Sequence, residues 1–233
     1  FSFCTNLKTV EYAGSQDDWD QVAFDKFRNE SLVNAQMHFA NLLTADKFSD
    51  VSHNWAYDGI NYCYTHRLMR GIDSDRFAPK ATTTRAQIVQ ILYNLQGEPE
   101  VSGPMPFDDV FNHWAEKPIL WAYQTGVVAG TSDTTFDPDK PVTREQIAVI
   151  LMGYADQILK LEHTWTPADL SSYPDAGSVS DWAKDALADA VALGLISGAS
   201  NGGQTYLDPQ GSATREQVAT ILMEFCKNVM NKQ

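Results

Sequence analysis

The sequence feature that most constrains the fold is a five-residue stretch that occurs three times. Thr followed three residues later by Gln, at the start of an apolar periodic run, is the capping box of a helix N-terminus. Each copy therefore predicts the first turn of a helix, and together they predict three related units. The copies are Thr84-Arg85-Ala86-Gln87-Ile88, Thr143-Arg144-Glu145-Gln146-Ile147 and Thr214-Arg215-Glu216-Gln217-Val218.

The capping box explains its Thr and its Gln but not its Arg. Arg85, Arg144 and Arg215 each occupy the first helical position, where the helix macrodipole disfavours positive charge. An Arg guanidinium binds a carboxylate through two parallel, charge-assisted hydrogen bonds, and free backbone N–H groups at the helix start add donors. We therefore predict an anion site beside each of these Arg residues.

Each capping box ends a longer repeat whose other landmarks recur in the same order. An aromatic-x-Asp element comes first, followed by Trp-Ala, an apolar run at helical spacing, a turn with two Gly positions, and a Phe/Leu-x-Pro element. The order predicts a helix–loop–helix unit in each repeat. The Asp residues are Asp50, Asp109 and Asp175, the Trp residues are Trp55, Trp114 and Trp182, and the second Gly of each turn is Gly71, Gly130 or Gly198.

The turn after the first helix of each repeat carries two conformational predictions. This helix should end near Arg67, Gly126 or Gly194, because a left-handed residue, usually Gly, commonly ends a helix. Arg67 departs from that preference, and Ala78 stands where the other repeats have Asp, which leaves the turn geometry of the first repeat open. The second Gly of each turn is predicted to adopt a positive φ.

Over residues 48–230 these landmarks resemble the S-layer homology domain. The resemblance implies a mainly α fold, with three helix–loop–helix repeats in a pseudo-threefold arrangement around a central helical bundle. It also implies grooves between repeats that bind secondary cell-wall polysaccharide, often carrying a pyruvate ketal. The repeats are predicted at 48–97, 107–161 and 173–230. The family usually has Glu where this chain has Gln87, Gln146 and Gln217, so a negative charge beside each Arg is absent.

Residues 1–47 differ from the repeats. Alternating apolar and polar residues predict strands at 7–12 and 33–39. With Tyr12-Ala13-Gly14-Ser15 and Trp19, this segment resembles the last repeat of a bacterial surface-antigen type leucine-rich repeat array. We expect a small β-containing C-terminal leucine-rich-repeat unit. A lone solenoid unit cannot bury its own face, so either further repeats precede it or it docks on the chain after residue 47.

Composition limits the classes of partner. A net charge of −13 argues against nucleic acid, and no apolar run reaches the roughly 20 residues of a membrane helix. The chain begins at Phe1 rather than Met, which indicates a piece of a longer exported protein at the bacterial cell surface or wall. Cys4, Cys63 and Cys226 have no paired spacing and should be free, buried thiols. No cofactor or metal site is predicted, and the oligomeric state is open.

The leading hypothesis is a non-catalytic module that anchors a surface protein to an anionic wall polysaccharide. One alternative is a protein–protein or self-assembly scaffold in which each Arg pairs with the Asp of its own repeat. Another is a glycan-cleaving enzyme, which needs two carboxylates roughly 5–10 Å apart, and no such pair stands out. Each Trp can stack on a sugar ring or pack in the core. The predicted glycan-binding residues are Arg85, Arg144, Arg215, Trp55, Trp114, Trp182, Gly71, Gly130 and Gly198.

Overall fold

The computed structural model describes residues 8–12, 19, 32, 35–39 and 44–230, and the chain divides into two compact units between Lys47 and Phe48. In the first unit, strand β1 (Thr9–Tyr12) pairs in parallel with strand β2 (Gln36–Phe39). A short 3-10 turn comes next, at Ala45–Lys47. The two predicted strands are confirmed within these bounds. Cys4 and the Gly14-Ser15 segment lie outside the described residues.

The second unit is mainly helical, as predicted, with two α-helices in each repeat. Short 3-10 turns lie at Asp108–Val110, Leu170–Ser172, Ala176–Ser178 and Asp181–Ala183. The third repeat also carries an antiparallel hairpin of β3 (Ala199–Asn201) and β4 (Gln204–Tyr206). The helices are α1 (Tyr57–Thr65), α2 (Arg85–Leu95), α3 (Glu116–Gln124), α4 (Arg144–Gln157), α5 (Lys184–Ala192) and α6 (Arg215–Asn228).

All three predicted capping boxes are confirmed. At the start of α2, the Gln87 backbone N–H donates to Thr84 Oγ1 at 3.3 Å, and the Thr84 N–H donates to Gln87 Oε1 at 3.1 Å. The same two bonds form at the starts of α4 and α6. Such a cap typically contributes about 1 kcal/mol, so local sequence alone positions the second helix of each repeat.

The second helix of each repeat packs against the first helix of the next one. Helix α2 contacts α3, α4 contacts α5, and α6 contacts α1. Single β-bridges run in the same order around the unit, from the first repeat to the second, the second to the third, and the third to the first. The bridges join Thr84 to Pro141, Thr143 to Ser212, and Thr214 to Thr82. The three repeats therefore form a closed ring, which is the pseudo-threefold arrangement that the resemblance implied.

The second helices also touch one another. The Tyr154 ring of α4 packs edge-on against the Phe225 ring of α6, with centroids 6.0 Å apart. The Tyr154 hydroxyl accepts a hydrogen bond of 2.6 Å from Gln96, the residue that caps α2. The apolar run after each capping box places the same four positions of each second helix in the core, where all are buried except Leu95, which is half-buried. They are Ile88, Ile91, Leu92 and Leu95; Ile147, Ile150, Leu151 and Tyr154; and Val218, Ile221, Leu222 and Phe225. Cys63 and Cys226 are free, buried thiols, as predicted.

The three repeats share one turn geometry despite their different residues. Arg67 has a φ of 58°, close to the 76° of Gly126 and the 73° of Gly194. Ala78 likewise has a φ of 58°, the same as that of Asp137. The question that the sequence left open is therefore settled, because the first repeat adopts the common turn with residues less suited to it. A left-handed residue with a Cβ costs roughly 1–2 kcal/mol.

The prediction of a positive φ at the second Gly is wrong for two of the three positions. Gly198 has a φ of 77°, whereas Gly71 and Gly130 are not among the positive-φ residues. What these two positions require is space. A Cβ on Gly71 would lie 2.7 Å from the Arg76 carbonyl oxygen, and a Cβ on Gly130 would lie 2.5 Å from Phe107 Cε1. The absence of a side chain lets the turn pack against the aromatic ring of its own repeat.

Candidate functional site

Three grooves lie on the second unit, and each is lined by residues from all three repeats. Each groove takes an Arg from one repeat, the two-Gly turn and the capping Gln from the next repeat, and a Trp from the remaining repeat. We name the grooves after their Arg residues. The Arg85 groove is lined by 127–131, Gln146 and Trp182, the Arg144 groove by 195–200, Gln217 and Trp55, and the Arg215 groove by 67–72, Gln87 and Trp114.

The grooves are large enough for a sugar residue and its substituents. Their volumes are about 530 Å³ for the Arg85 groove, 340 Å³ for the Arg144 groove and 320 Å³ for the Arg215 groove. The sequence predicted the Arg, Gly and Trp of each groove separately. It did not predict that the three members of one groove come from three different repeats.

Each Arg is held by backbone carbonyls of the following repeat. Arg85 Nε donates to the Phe136 carbonyl at 2.9 Å and Nη2 donates to the Ala129 carbonyl at 3.2 Å, while the guanidinium lies 4.5 Å from the Phe136 ring centroid. These bonds orient the guanidinium by its Nε and Nη2 atoms. They leave the two N–H groups of Nη1 for another partner, since Arg has five N–H donors.

The Nε bond recurs at both other Arg residues, and the Nη2 bond recurs at Arg215. Arg144 Nε donates to the Leu207 carbonyl at 2.7 Å. Arg215 Nε donates to the Phe77 carbonyl at 2.9 Å and Nη2 donates to the Arg70 carbonyl at 2.6 Å. Because Leu207 stands where the other repeats have Phe, Arg144 has no ring of that repeat beneath it.

The three guanidinium groups are poorly solvated cations. Arg85 and Arg144 are each only 6% exposed, and Arg215 is half-buried. Burial lowers the pKa of all three groups, and the charge of Asp137 partly offsets this effect on the pKa of Arg85. Arg remains protonated in proteins, so each groove holds a positive charge that has lost much of its hydration. Such a charge favours an anionic ligand.

The Asp of each repeat binds backbone N–H groups. Asp50 Oδ1 accepts from the Phe77 N–H and Oδ2 from the Ala78 N–H, both at 2.8 Å. Asp109 and Asp175 make the same pair of bonds in their repeats. Within 44–230, no ion pair joins one of these carboxylates to a groove Arg. The pairing of each Arg with the Asp of its own repeat is therefore wrong, whereas the protein–protein or self-assembly alternative itself stays a prediction.

Phe77 links the Asp and Arg networks. Its N–H is bound by Asp50 of its own repeat and its carbonyl is bound by Arg215 of the third repeat. Asp50 also binds the Ala78 N–H, which belongs to the same peptide group as the Phe77 carbonyl, so the Asp sets the orientation of the peptide that Arg215 binds. The same relation holds at Phe136 and Leu207, which each bind an Asp through N–H and an Arg through C=O.

The Trp side chains lie on the surface. Trp55, Trp114 and Trp182 are 61%, 58% and 59% exposed, so the core-packing interpretation is wrong for all three. Each has a large open ring face beside a groove that contains an Arg. A flat apolar surface next to a cation is suited to a sugar with an acidic substituent.

Sequence reasoning missed two buried carboxylates that connect the repeats. Glu145 is 1% exposed and accepts from Ser180 Oγ at 2.8 Å and from Gln210 Nε2 at 2.7 Å, both in the third repeat. Glu216 pairs with Lys80 of the first repeat at 2.5 Å. The only signal was Glu after Arg in two of the three boxes, which a favourable helix N-terminus already explains.

Neither a metal site nor a membrane helix is found in the described part of the chain. Its His, Cys, Asp and Glu residues form no group of three or more that is arranged to hold a metal ion. Of the helices whose bounds are given above, none combines the length and hydrophobicity needed to cross a membrane.

Comparison with protein families gives a match to the model described as the S-layer homology domain. The match has three segments, residues 47–89, 106–148 and 172–219. Together they cover more than half of the chain. Each segment begins near an aromatic-x-Asp element and contains the capping box that leads into the second helix of a repeat.

Three curated proteins illustrate the similarity. An endoglucanase of Bacillus sp. (strain KSM-635) is 34% identical over 75% of this chain and 18% of its own length. The surface-layer 125 kDa protein of Lysinibacillus sphaericus is 30% identical over 85% of this chain and 16% of its own length. The cellulosome-anchoring protein of Acetivibrio thermocellus is 29% identical over 72% of this chain and 42% of its own length. The chain thus spans less than half of each of these relatives.

Proposed function

This chain belongs to the S-layer homology domain family, and from that premise we propose that it is a non-catalytic module anchoring a bacterial surface protein to the cell wall. Two relatives support this proposal, the surface-layer protein of Lysinibacillus sphaericus and the cellulosome-anchoring protein of Acetivibrio thermocellus. The surface-layer relative agrees with the expected cell-surface location. The similarity to an endoglucanase covers only 18% of that enzyme, so it does not transfer catalysis to this chain.

We propose that the ligand is a secondary cell-wall polysaccharide with an acidic substituent, such as a pyruvate ketal, bound in the three grooves. The observation that carries the proposal is the pairing, in every groove, of a poorly solvated Arg with an exposed Trp. The guanidinium binds the carboxylate through charge-assisted hydrogen bonds. The Trp covers the apolar face of the sugar ring, and the two-Gly turn lines the floor of the groove.

The decisive test uses the Trp residues, because they are exposed and their removal leaves the core intact. A variant with Trp55→Ala, Trp114→Ala and Trp182→Ala should bind purified, deproteinised wall polysaccharide at least about tenfold more weakly, since each lost ring contact costs on the order of 1 kcal/mol. Phe111→Ala is the matched control, because Phe111 is 74% exposed and lines none of the three grooves. Equal binding by the triple variant and the control would reject the proposal.

A second arm tests the acidic substituent. The unmodified protein should sediment with pyruvylated polysaccharide and lose most of this binding after mild acid removes the ketal, because the groove Arg then lacks an anionic partner. Undiminished binding to the treated polysaccharide would show that the carboxylate is not what the grooves recognise.

We also propose that residues 1–47 are the C-terminal unit of a leucine-rich-repeat array. The parallel pairing of Thr9 with Gln36 supports this, because arrays of that class stack one strand per repeat. The three later repeats are proposed at 48–97, 107–161 and 173–230. Fusing a further leucine-rich repeat before Phe1 should raise the melting temperature of this unit, because a lone solenoid repeat cannot bury its own face.

A further inference from the structure

The three grooves share one plan but differ in charge, and we propose that the Arg215 groove binds a sugar segment carrying two negative charges. The Arg85 and Arg144 grooves each bind a segment with one. This inference rests on the proposed function, because it assigns different ligands to the same grooves. The two charges can be a phosphomonoester or two neighbouring carboxylates, and both present a pair of anionic oxygens to two guanidinium groups.

The first observation is the number of cations in the lining. The Arg215 groove is also lined by Arg70 and Arg67, whereas the linings of the other two grooves contain one Arg each and no Lys. Arg70 stands where the second and third repeats have Ala129 and Ser197. Its own carbonyl accepts the 2.6 Å hydrogen bond from Arg215 Nη2, so the Arg70 backbone lies directly beside the Arg215 guanidinium.

The second observation is that one carboxylate fewer acts on the Arg of this groove. The charges of two Asp residues raise the pKa of Arg85 and of Arg144, whereas that of Asp50 alone raises the pKa of Arg215, because Ala78 stands where the other repeats have Asp. Asp73 pairs with Arg76 at 2.6 Å, and Asp50 binds the backbone N–H groups of Phe77 and Ala78. Between residues 44 and 230, no carboxylate forms an ion pair with Arg70. With Arg70 added and one carboxylate fewer, this groove is therefore more positive than the other two, in a chain with a net charge of −13.

The third observation is the polarity of the helix wall. Gln90 and Asn94 line the Arg215 groove, and Gln90 Nε2 donates to Asn94 Oδ1 at 2.5 Å. The position of Gln90 is occupied by Val149 in the Arg85 groove and by Thr220 in the Arg144 groove. Amide groups bind the hydroxyls and anionic oxygens of a strongly hydrated ligand, whereas Val149 suits an apolar substituent.

The structure supplies its own reporters for a test, because each groove contains one Trp. The indole N–H signals of Trp55, Trp114 and Trp182 in a 15N-labelled sample, assigned with single Trp→Phe variants, report on the three grooves separately. The probes are digalacturonic acid for two carboxylates, glucose 6-phosphate for a phosphomonoester, and glucuronic acid for a single carboxylate, all at pH 7.5. Wall polysaccharide is titrated into the same samples.

We expect the Trp114 signal to respond to at least one of the two doubly charged probes at a concentration about tenfold lower than the Trp55 and Trp182 signals require. Arg70→Ser, which installs the residue of the third repeat, should remove this difference, and Ser197→Arg should confer it on Trp55. Ser197 is exposed, so the added side chain has room. The doubly charged probe that binds identifies the source of the two charges.

Equal responses of the three signals to the doubly charged probes, or an Arg70→Ser variant that keeps the difference, would overturn the inference. If wall polysaccharide still shifts Trp55 and Trp182 in that case, the proposed function stands and only the assignment to the Arg215 groove fails. If the polysaccharide shifts none of the three signals, the proposed function itself fails.

Discussion

At the scale of single residues, each groove Arg holds the next repeat and also lines a groove. Nε of each donates to a carbonyl of the next repeat, and Nη2 of Arg85 and of Arg215 does so as well, which leaves Nη1 of these two for a groove ligand. The sequence allowed an Arg to hold the repeats together and to line a ligand groove, and the structure places each Arg side chain in both positions. A consequence is that Arg substitutions change stability as well as binding.

Arg144→Lys should therefore lower the free energy of unfolding by about 1–3 kcal/mol. Lys keeps the charge but has no Nε–H in the guanidinium plane, so the buried Leu207 carbonyl loses its partner. Urea denaturation monitored by circular dichroism measures the change. Arg76→Lys is the control, since Arg76 is exposed and its pair with Asp73 contributes little. Equal stability of the two variants would contradict the structural role of Arg144.

Ala78→Gly should stabilise the protein by about 1 kcal/mol, because Ala78 has a φ of 58° and Gly adopts this region without a Cβ penalty. The melting temperature in differential scanning calorimetry is the measurement. Ala81→Gly is the control, because Ala81 lies three residues later and does not have a positive φ. This substitution should not raise the melting temperature. A loss of stability in Ala78→Gly would show that the turn is not strained.

The residue scale also shows which parts of the site a sequence can predict. The Thr and Gln of each capping box were predictable because their bonds span three residues. The carbonyl partners of Arg85, Arg144 and Arg215 lie 51, 63 and 138 residues away along the chain. No local pattern encodes such separations, so the Arg positions were evident while their structural partners were not.

At the scale of elements, the sequence located the turn between the two helices of each repeat correctly. It gave the wrong reason for the Gly in two of these turns, at Gly71 and Gly130. Gly recurs at Gly71 and Gly130 because a Cβ there would collide with neighbouring backbone and with an aromatic ring, and not because φ is positive. A recurring Gly reports that no side chain is tolerated. It does not report whether backbone strain or crowding is the cause, and only the packing distinguishes them.

Gly130→Ala should destabilise the second repeat by about 1–3 kcal/mol, since the added methyl group has to displace Phe107 or the backbone at Thr135. Gly177→Ala is the matched control, because a Cβ there meets no atom within 4 Å. Thermal unfolding of both variants gives the comparison. A Gly130→Ala variant as stable as Gly177→Ala would mean that the turn relaxes freely.

At the scale of the whole molecule, the ring of repeats distinguishes this unit from an open solenoid. In an open array each repeat contacts only its neighbours, and the two ends never meet. Here α6 packs on α1, Glu216 binds Lys80, and Thr214 bridges to Thr82. The sequence predicted three equivalent units, but not that the first helix of each unit packs mainly on the preceding repeat.

Deletion of the third repeat, leaving 48–161, should therefore abolish cooperative unfolding. Helix α1 would lose its partner α6, and α4 would lose α5, so apolar surface would be exposed on both remaining repeats. Amide NMR dispersion and a urea titration measure the effect. A circular permutant that begins at residue 107 and joins 230 to 48 through a flexible linker retains every contact and should fold. A truncated chain with a sharp, native-like transition would contradict the closed ring.

Because every groove takes its Arg, its turn and its Trp from three different repeats, the number of complete grooves cannot be adjusted by gaining or losing one repeat. A partial set of repeats has no complete groove, whereas a full set has three at once. On the proposed function, attachment through three grooves and the avidity that comes with it are therefore gained or lost together. Substitutions in the linings can still tune each contact separately.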